Sequence, residues 1–291
     1  MQLRRKWAAI VAAALIIALA LAAGCGRPAT ERGKVDGLVV NVIDVGQGDA
    51  ILIRTPTQVV LVDTGDTPAR DRLVAYIKKQ GVTTIDVLIM THPHADHIGG
   101  ANAVLDAFTV KKIYDSGQTS TSALYRQYLA AIQKKKIPFA VVTAGQDIDL
   151  GGATLKVLNP PGSPITEGDA DLNNNSVVLR LVYGGFAMLL AADAESEAEA
   201  VMVKKYGAAM KSQVLKSGHH GSRTSSSASF LKVVDPEAAI ISLGAGNEYH
   251  HPHPSLLKRY ADRKLKVWRT DTDGTVTVTS DGKTYSITKE K

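Results

Sequence analysis

Three histidines and one aspartate, His92, His94, Asp96 and His97, stand within six residues, directly after the apolar run 87–90 and just before Gly99-Gly100. A short uncharged run bounded in this way reads as a strand buried on both faces. Four polar groups at its end converge only if the backbone turns sharply about a common point, and a metal ion is that point. Imidazole nitrogen and carboxylate oxygen suit Zn²⁺, with Mn²⁺ the alternative and iron accepted by the same donors. The chain has one cysteine, Cys25, so it can form neither a thiolate cluster nor an intrachain disulfide.

The rest of the chain alternates short apolar runs with helical segments. Strands are predicted at 38–43, 50–54, 59–62, 86–90, 154–158, 177–182, 187–190, 214–216, 239–242, 267–269 and 276–279. Helices are predicted at 68–80, 122–136 and 195–206, with a hairpin turn at Gly184-Gly185. Two strand-rich halves with helices outside predict an α/β fold, an αββα sandwich of two mixed β-sheets flanked by helices, as one domain over residues 37–291.

Arg4, Arg5 and Lys6 precede an uncharged stretch, residues 7–24, in the order of a secretory signal. It ends at Leu21-Ala22-Ala23-Gly24-Cys25, which resembles a bacterial lipoprotein cleavage box. The expected organisation is a lipoprotein signal peptide over 1–24, a tether over 25–36 and the folded domain over 37–291. Lipid on Cys25 would anchor the mature protein outside the cytoplasmic membrane, each buried methylene contributing about 0.8 kcal/mol. The net charge of +6 shrinks without that signal, to 31 basic against 28 acidic residues. So small an excess does not by itself argue for nucleic-acid binding. Two Trp, four Phe and nine Tyr are few for a base-stacking groove, so contact with a polymer backbone is expected over base reading.

The His-x-His-x-Asp-His run resembles the signature of the metallo-β-lactamase fold superfamily. Asp44-Val45-Gly46-Gln47-Gly48-Asp49-Ala50, Asp63-Thr64-Gly65, Asn173-Asn174-Asn175-Ser176, Leu215-Lys216-Ser217-Gly218-His219-His220-Gly221-Ser222 and His251-Pro252-His253-Pro254 narrow it. As a set, they are similar to the hydrolase domain of ComEC-type competence proteins, from about Leu38 to near the carboxyl end. The resemblance implies two divalent metal ions, one on His92 and His94 and one on Asp96 and His97, with Asp193 bridging them. The final ligand is His219, or His220 if the register differs by one. Two departures stand out. Ala191-Ala192 replaces the family's Thr-Gly before the bridging aspartate. Leu172-Asn173-Asn174-Asn175 lies where the superfamily has a further histidine, so an amide oxygen or a water completes the first site, with Asn174 and Asn175 expected beside it.

Asp63 either orients a ligand histidine or caps a turn, and Asp49 poses the same choice. Gly46 and Gly48 permit a tight turn near the ions. His253, held between prolines, is a candidate proton donor or substrate contact, or else an ordinary loop histidine. With Asp96 and Asp193 serving a metal-activated water, the expected function is an exported, membrane-anchored metallo-hydrolase, foremost a phosphodiesterase or deoxyribonuclease. DNA or another phosphodiester polymer is the substrate, and the competence resemblance implies a part in DNA uptake. The alternatives are a wall-associated phosphoesterase acting on phosphorylcholine or teichoic acid, a β-lactam or lactone hydrolase, and a non-enzymatic metal-containing binding lipoprotein. Competence or wall machinery would be its partner.

Overall fold

Val59–Val62 and Val87–Met90 are buried at every position. Their side chains alternate between two apolar clusters: Val60, Val62, Val87 and Ile89 join one, Val59, Leu61, Leu88 and Met90 the other. A strand with period-two alternation and apolar residues on both faces has to lie inside a layered structure. The computed structural model, which describes residues 35–166 and 171–291, has those layers.

One sheet runs from Tyr285–Lys289 through Val276–Ser280, Leu38–Val42, Ile51–Arg54, Val59–Val62, Val87–Met90 and Ile113–Asp115 to Phe139–Val141. The second runs from Lys266–Arg269 through Ala238–Ile241, Val214–Lys216, Phe186–Leu190, Val178–Tyr183 and Thr154–Asn159 to Asp147–Asp149. Both are mixed: Val59–Val62 pairs parallel with Val87–Met90, and Phe186–Leu190 pairs parallel with Val214–Lys216, whereas Leu38–Val42 pairs antiparallel with Ile51–Arg54. Val40, Ile53, Leu155, Leu179, Met188 and Val278 fill the space between the sheets. The helices Arg70–Lys79, Ala101–Ala107 and Ala123–Lys135 cover the first sheet, and Ser196–Tyr206, Ala228–Val234 and Pro254–Asp262 cover the second. The αββα sandwich is therefore the fold. Each parallel strand ends at the same rim, where open α/β sheets gather their binding groups.

Several elements were not legible in the sequence. Phe139–Val141 and Asp147–Asp149 are three-residue edge strands, too short to show a period and largely exposed. The helix Ala228–Val234 follows a run of three serines that reads as a polar loop, yet Ser225 and Ser226 are buried and the Ser227 hydroxyl accepts from Phe230 N–H to cap the helix. The expected signal segment and Cys25 lie outside the described residues. Among the described residues, no helix is long and apolar enough to cross a membrane.

Asp115 closes one of the parallel strands and is buried. Burial pushes its carboxyl up to about 6, against hydrogen bonds from Gly117 N–H and the Tyr128 hydroxyl. The folded protein thus binds a proton that the unfolded chain, at the ordinary 3.8, gives up. Stability should fall as pH rises through that window, by about 3 kcal/mol in all, and stay at the lower level above it. Asp115→Asn removes the charge, keeps the Gly117 N–H bond on its oxygen and turns its NH2 to donate to the Tyr128 oxygen. Urea unfolding at pH 7.5 should find the variant more stable by about 1–3 kcal/mol, converging with the parent near pH 4. Equal stability at both pH values would mean that the carboxyl titrates as it does in water.

Candidate metal centre

Thr91 leaves the strand Val87–Met90 and enters the histidine loop, where Asp63 fixes it from the neighbouring strand end. Asp63 Oδ1 accepts Thr91 N–H at 2.8 Å, and Oδ2 accepts the Thr91 hydroxyl at 2.7 Å. Asp63 Oδ2 also stands 2.8 Å from His97 Nδ1. That contact sets the tautomer of His97, leaving Nε2 to face the site. Gly48, at φ +122°, lets the Asp44–Ala50 loop lie against the same turn: a Cβ there would clash with the Asp96 carbonyl oxygen, and Asp49 N–H donates to that oxygen at 3.1 Å. The glycine reading of the sequence, backbone brought close to the histidine loop, describes this approach.

Four ligand atoms gather on one point. Asp193 Oδ2 is 3.3 Å from His97 Nε2 and 3.5 Å from His220 Nε2, and Asp96 Oδ2 is 3.2 Å from His220 Nε2 and 3.9 Å from His97 Nε2. Donors placed tetrahedrally about 2.1 Å from an ion stand about 3.4 Å apart. On the other side of Asp193, His92, His94 and Asp193 each place a ligand atom within 4.8 Å of the others, with His92 Nε2 3.7 Å from Asp193 Oδ2. His97 Nε2, His220 Nε2 and Asp193 Oδ1 are buried without a hydrogen-bond partner. Polar atoms orphaned together in this way cost several kcal/mol unless something binds them. A pair of divalent cations fits this donor set.

The electrostatics point the same way. Burial holds His92 well below the ordinary imidazole range and lowers His94, so both are neutral donors. Burial opposes charge on His97 too, but Asp193, Asp63 and Asp96 outweigh it and raise that imidazole well above its ordinary value. His220 is raised for the same reason, with Asp193 the largest of its carboxylate neighbours. A field that draws protons onto buried rings draws a divalent cation to the same nitrogens.

The preference for His219 as the last ligand is corrected by this geometry. His219 and His220 both take left-handed backbone, at φ 45° and 51°, and this twist sends their rings in different directions. His220 is buried, and its Nδ1 faces the Ser242 carbonyl at 3.0 Å, which leaves Nε2 among the donors. His219 instead puts Nδ1 2.9 Å from Glu195 and Nε2 3.9 Å from Asp193, with a quarter of its side chain exposed. Ala192 is also left-handed, at φ 45°, where the resemblance calls for glycine. Non-glycine residues in such conformations cost about 1–3 kcal/mol each, and here they lie beside Asp193 and His220.

Asn174 and Asn175 turn their side-chain oxygens to backbone and offer none to the first site. Asn174 Oδ1 accepts N–H bonds from Glu195 at 3.1 Å and Ala198 at 3.3 Å, holding the loop that carries Asp193. Asn175 exchanges two bonds with the Ile165 backbone at 2.8 Å. Their oxygens are engaged by backbone, whereas Asn173 Oδ1 is buried with no hydrogen bond. The second of the two readings of His253, an ordinary structural histidine, fits its surroundings better. His253 caps the helix Pro254–Asp262, its Nδ1 receiving Ser255 N–H at 3.2 Å, because the X-Pro step that fixes its backbone also starts that helix. His251, two residues earlier, reaches the cleft instead.

The sequence also hid several participants. Lys216 is fully buried and pairs with Asp49, whose other oxygen lies 3.5 Å from His220 Nδ1. Its signals were a lysine closing an apolar strand and a place in the run from Leu215 to Ser222, neither of which named its partner. Glu195 and Tyr249 showed none, since a helix-start glutamate and an exposed loop tyrosine are ordinary. The donors open onto a cleft of about 340 Å³, walled by Gln47, His94, Asp96, His219, Tyr249 and His251.

Comparisons with known proteins give the family. Residues 43–245 match the model of the metallo-beta-lactamase superfamily. ComE operon protein 3 of Bacillus subtilis is 32% identical over 255 residues, covering 81% of this chain and 32% of that protein. Competence protein ComA of Neisseria gonorrhoeae is 36% identical over 236 residues, covering 81% of this chain and 31% of that protein. The chain thus spans about a third of the length of these relatives. Among solved structures, the metallo-beta-lactamase fold protein YhfI from Bacillus subtilis superposes with a TM-score of 0.54 at 15% identity, over 80% of this chain and 96% of that one.

Proposed function

From a chain that belongs to the metallo-beta-lactamase superfamily, we propose a metal-dependent phosphodiesterase whose substrate is DNA. One observation carries the reading: a single carboxylate oxygen, Asp193 Oδ2, lies 3.3–3.7 Å from imidazole nitrogens of both donor groups, at the floor of an open cleft. His92 and His94 would hold one ion, Asp96, His97 and His220 the other, and Asp193 both. Two such ions supply a water acidic enough to attack near neutral pH and a charge to meet the departing oxygen.

The chain's own groups do the rest. Asp63 and the Ser242 carbonyl keep His97 and His220 in the tautomer that turns Nε2 inward. His219, backed by Glu195 and facing the cleft, is the group that passes a proton to the leaving oxygen, the role first expected of His253. The DNA substrate rests on the likeness to competence proteins, and the fold alone would not choose it. Action outside the membrane, tethered through Cys25, rests on the order of residues 1–25.

Purified protein given Mn²⁺ or Zn²⁺ should cut linear and circular DNA and lose that activity to a chelator, regaining it when metal is restored. Folded, metal-loaded protein that leaves both DNAs intact under either ion would overturn the reading.

A further inference from the structure

We propose that Tyr249 and His251 form a stacking subsite for an unpaired nucleobase beside the scissile phosphate. The inference rests on the phosphodiesterase reading for its phosphate. Tyr249 is the most exposed of the large apolar side chains among the described residues, at 58%, yet it sits at the mouth of the cleft that holds the metal donors. Its ring stacks on His251, with centroids 5.8 Å apart and planes 27° from parallel. The His251 ring in turn meets His219 edge-on at 5.7 Å. An aromatic wall therefore leads from solvent to the proton-passing histidine in two ring steps.

The wall is built in advance. Asn247 fixes His251 from both sides of its backbone, accepting its N–H at 2.9 Å and donating to its carbonyl at 2.7 Å. His253 N–H donates to the Gly221 carbonyl at 2.9 Å, tying this loop to the one that carries His220. An exposed tyrosine on a loop held this way does not fold away from water; it presents a flat apolar surface at a fixed distance from an anion site. A ligand with a planar ring on one side and a phosphate on the other matches both features, and a nucleotide unit of a polymer has them. Stacking is tolerant of sequence because every base has a π face, but the base must be out of its pair to reach the ring. Single-stranded DNA and frayed ends are thus the preferred substrates, and aromatic scarcity does not exclude base contact, since two rings suffice.

The test compares a single-stranded oligonucleotide with one of the same length made of abasic units, which keeps the phosphodiesters and removes the bases. Wild type, Tyr249→Ala and Tyr249→Phe, each metal-loaded, are measured for binding by fluorescence anisotropy and for cleavage. Tyr249→Ala should weaken binding and raise KM on the ordinary strand by roughly five- to hundredfold, leave kcat and the abasic strand within about twofold, and be rescued by Tyr249→Phe. Equal losses on both strands, or none on either, would overturn the subsite. Should wild type bind the ordinary strand more tightly and cleave neither, the subsite stands and the phosphodiesterase reading falls.

Discussion

Replacing Lys216 by methionine is expected to destabilise the protein by about 3–5 kcal/mol, although the two side chains are nearly equal in size. Lys216 is fully buried and its ammonium nitrogen meets Asp49 Oδ2. Burial alone would push the Asp49 carboxyl up, but Lys216 and then His220 overcome it and hold the group at about 2. Without the lysine, the buried carboxylate keeps only the His220 imidazole, 3.5 Å away, as a positive neighbour. That ring does not replace the direct contact of the lysine, since its Nδ1 is nearer the Ser242 carbonyl, at 3.0 Å. The double variant Lys216→Met with Asp49→Asn, which removes both charges, should recover more than half of the loss. Urea unfolding with chelator present reads the fold without metal. A single-variant loss below about 1 kcal/mol would mean that water reaches Asp49 and the pair is screened.

The second large effect separates two adjacent histidines. His220→Ala should lower bound metal from two equivalents to about one, and weaken the remaining retention by more than the roughly 10–100-fold typical of losing an outer partner of a ligand. His219→Ala should keep both equivalents and lower kcat by about 10²–10⁴-fold, the range of a lost proton-transfer group. Metal content of the purified variants, set beside their turnover of DNA, decides it. Loss of metal in His219→Ala with full retention in His220→Ala would reverse the assignment and place the ring of His219 on the ion.

These two predictions differ in how much of them a sequence reveals. A histidine pair after a strand is visible at once, and with it the general chemistry. Which ring turns inward depends on two consecutive left-handed residues, at φ 45° and 51°, and backbone of that kind is set by what surrounds it. Lys216 was visible as a lysine at the end of an apolar strand, within a run the resemblance singled out, but with no role attached. Its partner lies 167 residues earlier, and no local pattern spans that separation.

Local chemistry in the sequence determined the layered fold, because runs such as Val59–Val62 and Val87–Met90 have nowhere to put two apolar faces except between a second sheet and a helix layer. It also determined that any metal would rest on imidazole and carboxylate, since six residues hold four such donors and the chain has a single cysteine. The family resemblance named Asp193 and the pair His219 and His220, and the tertiary structure decided which ring of that pair turns toward the donors. It brought Asp193, in the loop after a strand of one sheet, against His97, in the short helix Ala95–Ile98 after a strand of the other, at 3.3 Å, and it engaged the side-chain oxygens of Asn174 and Asn175 with backbone N–H groups. It also gave His253 to a helix cap and Tyr249 to the mouth of the cleft. The physical reason is range: propensity and periodicity act over a few residues, while a metal centre is closed by side chains that meet only after both sheets have packed.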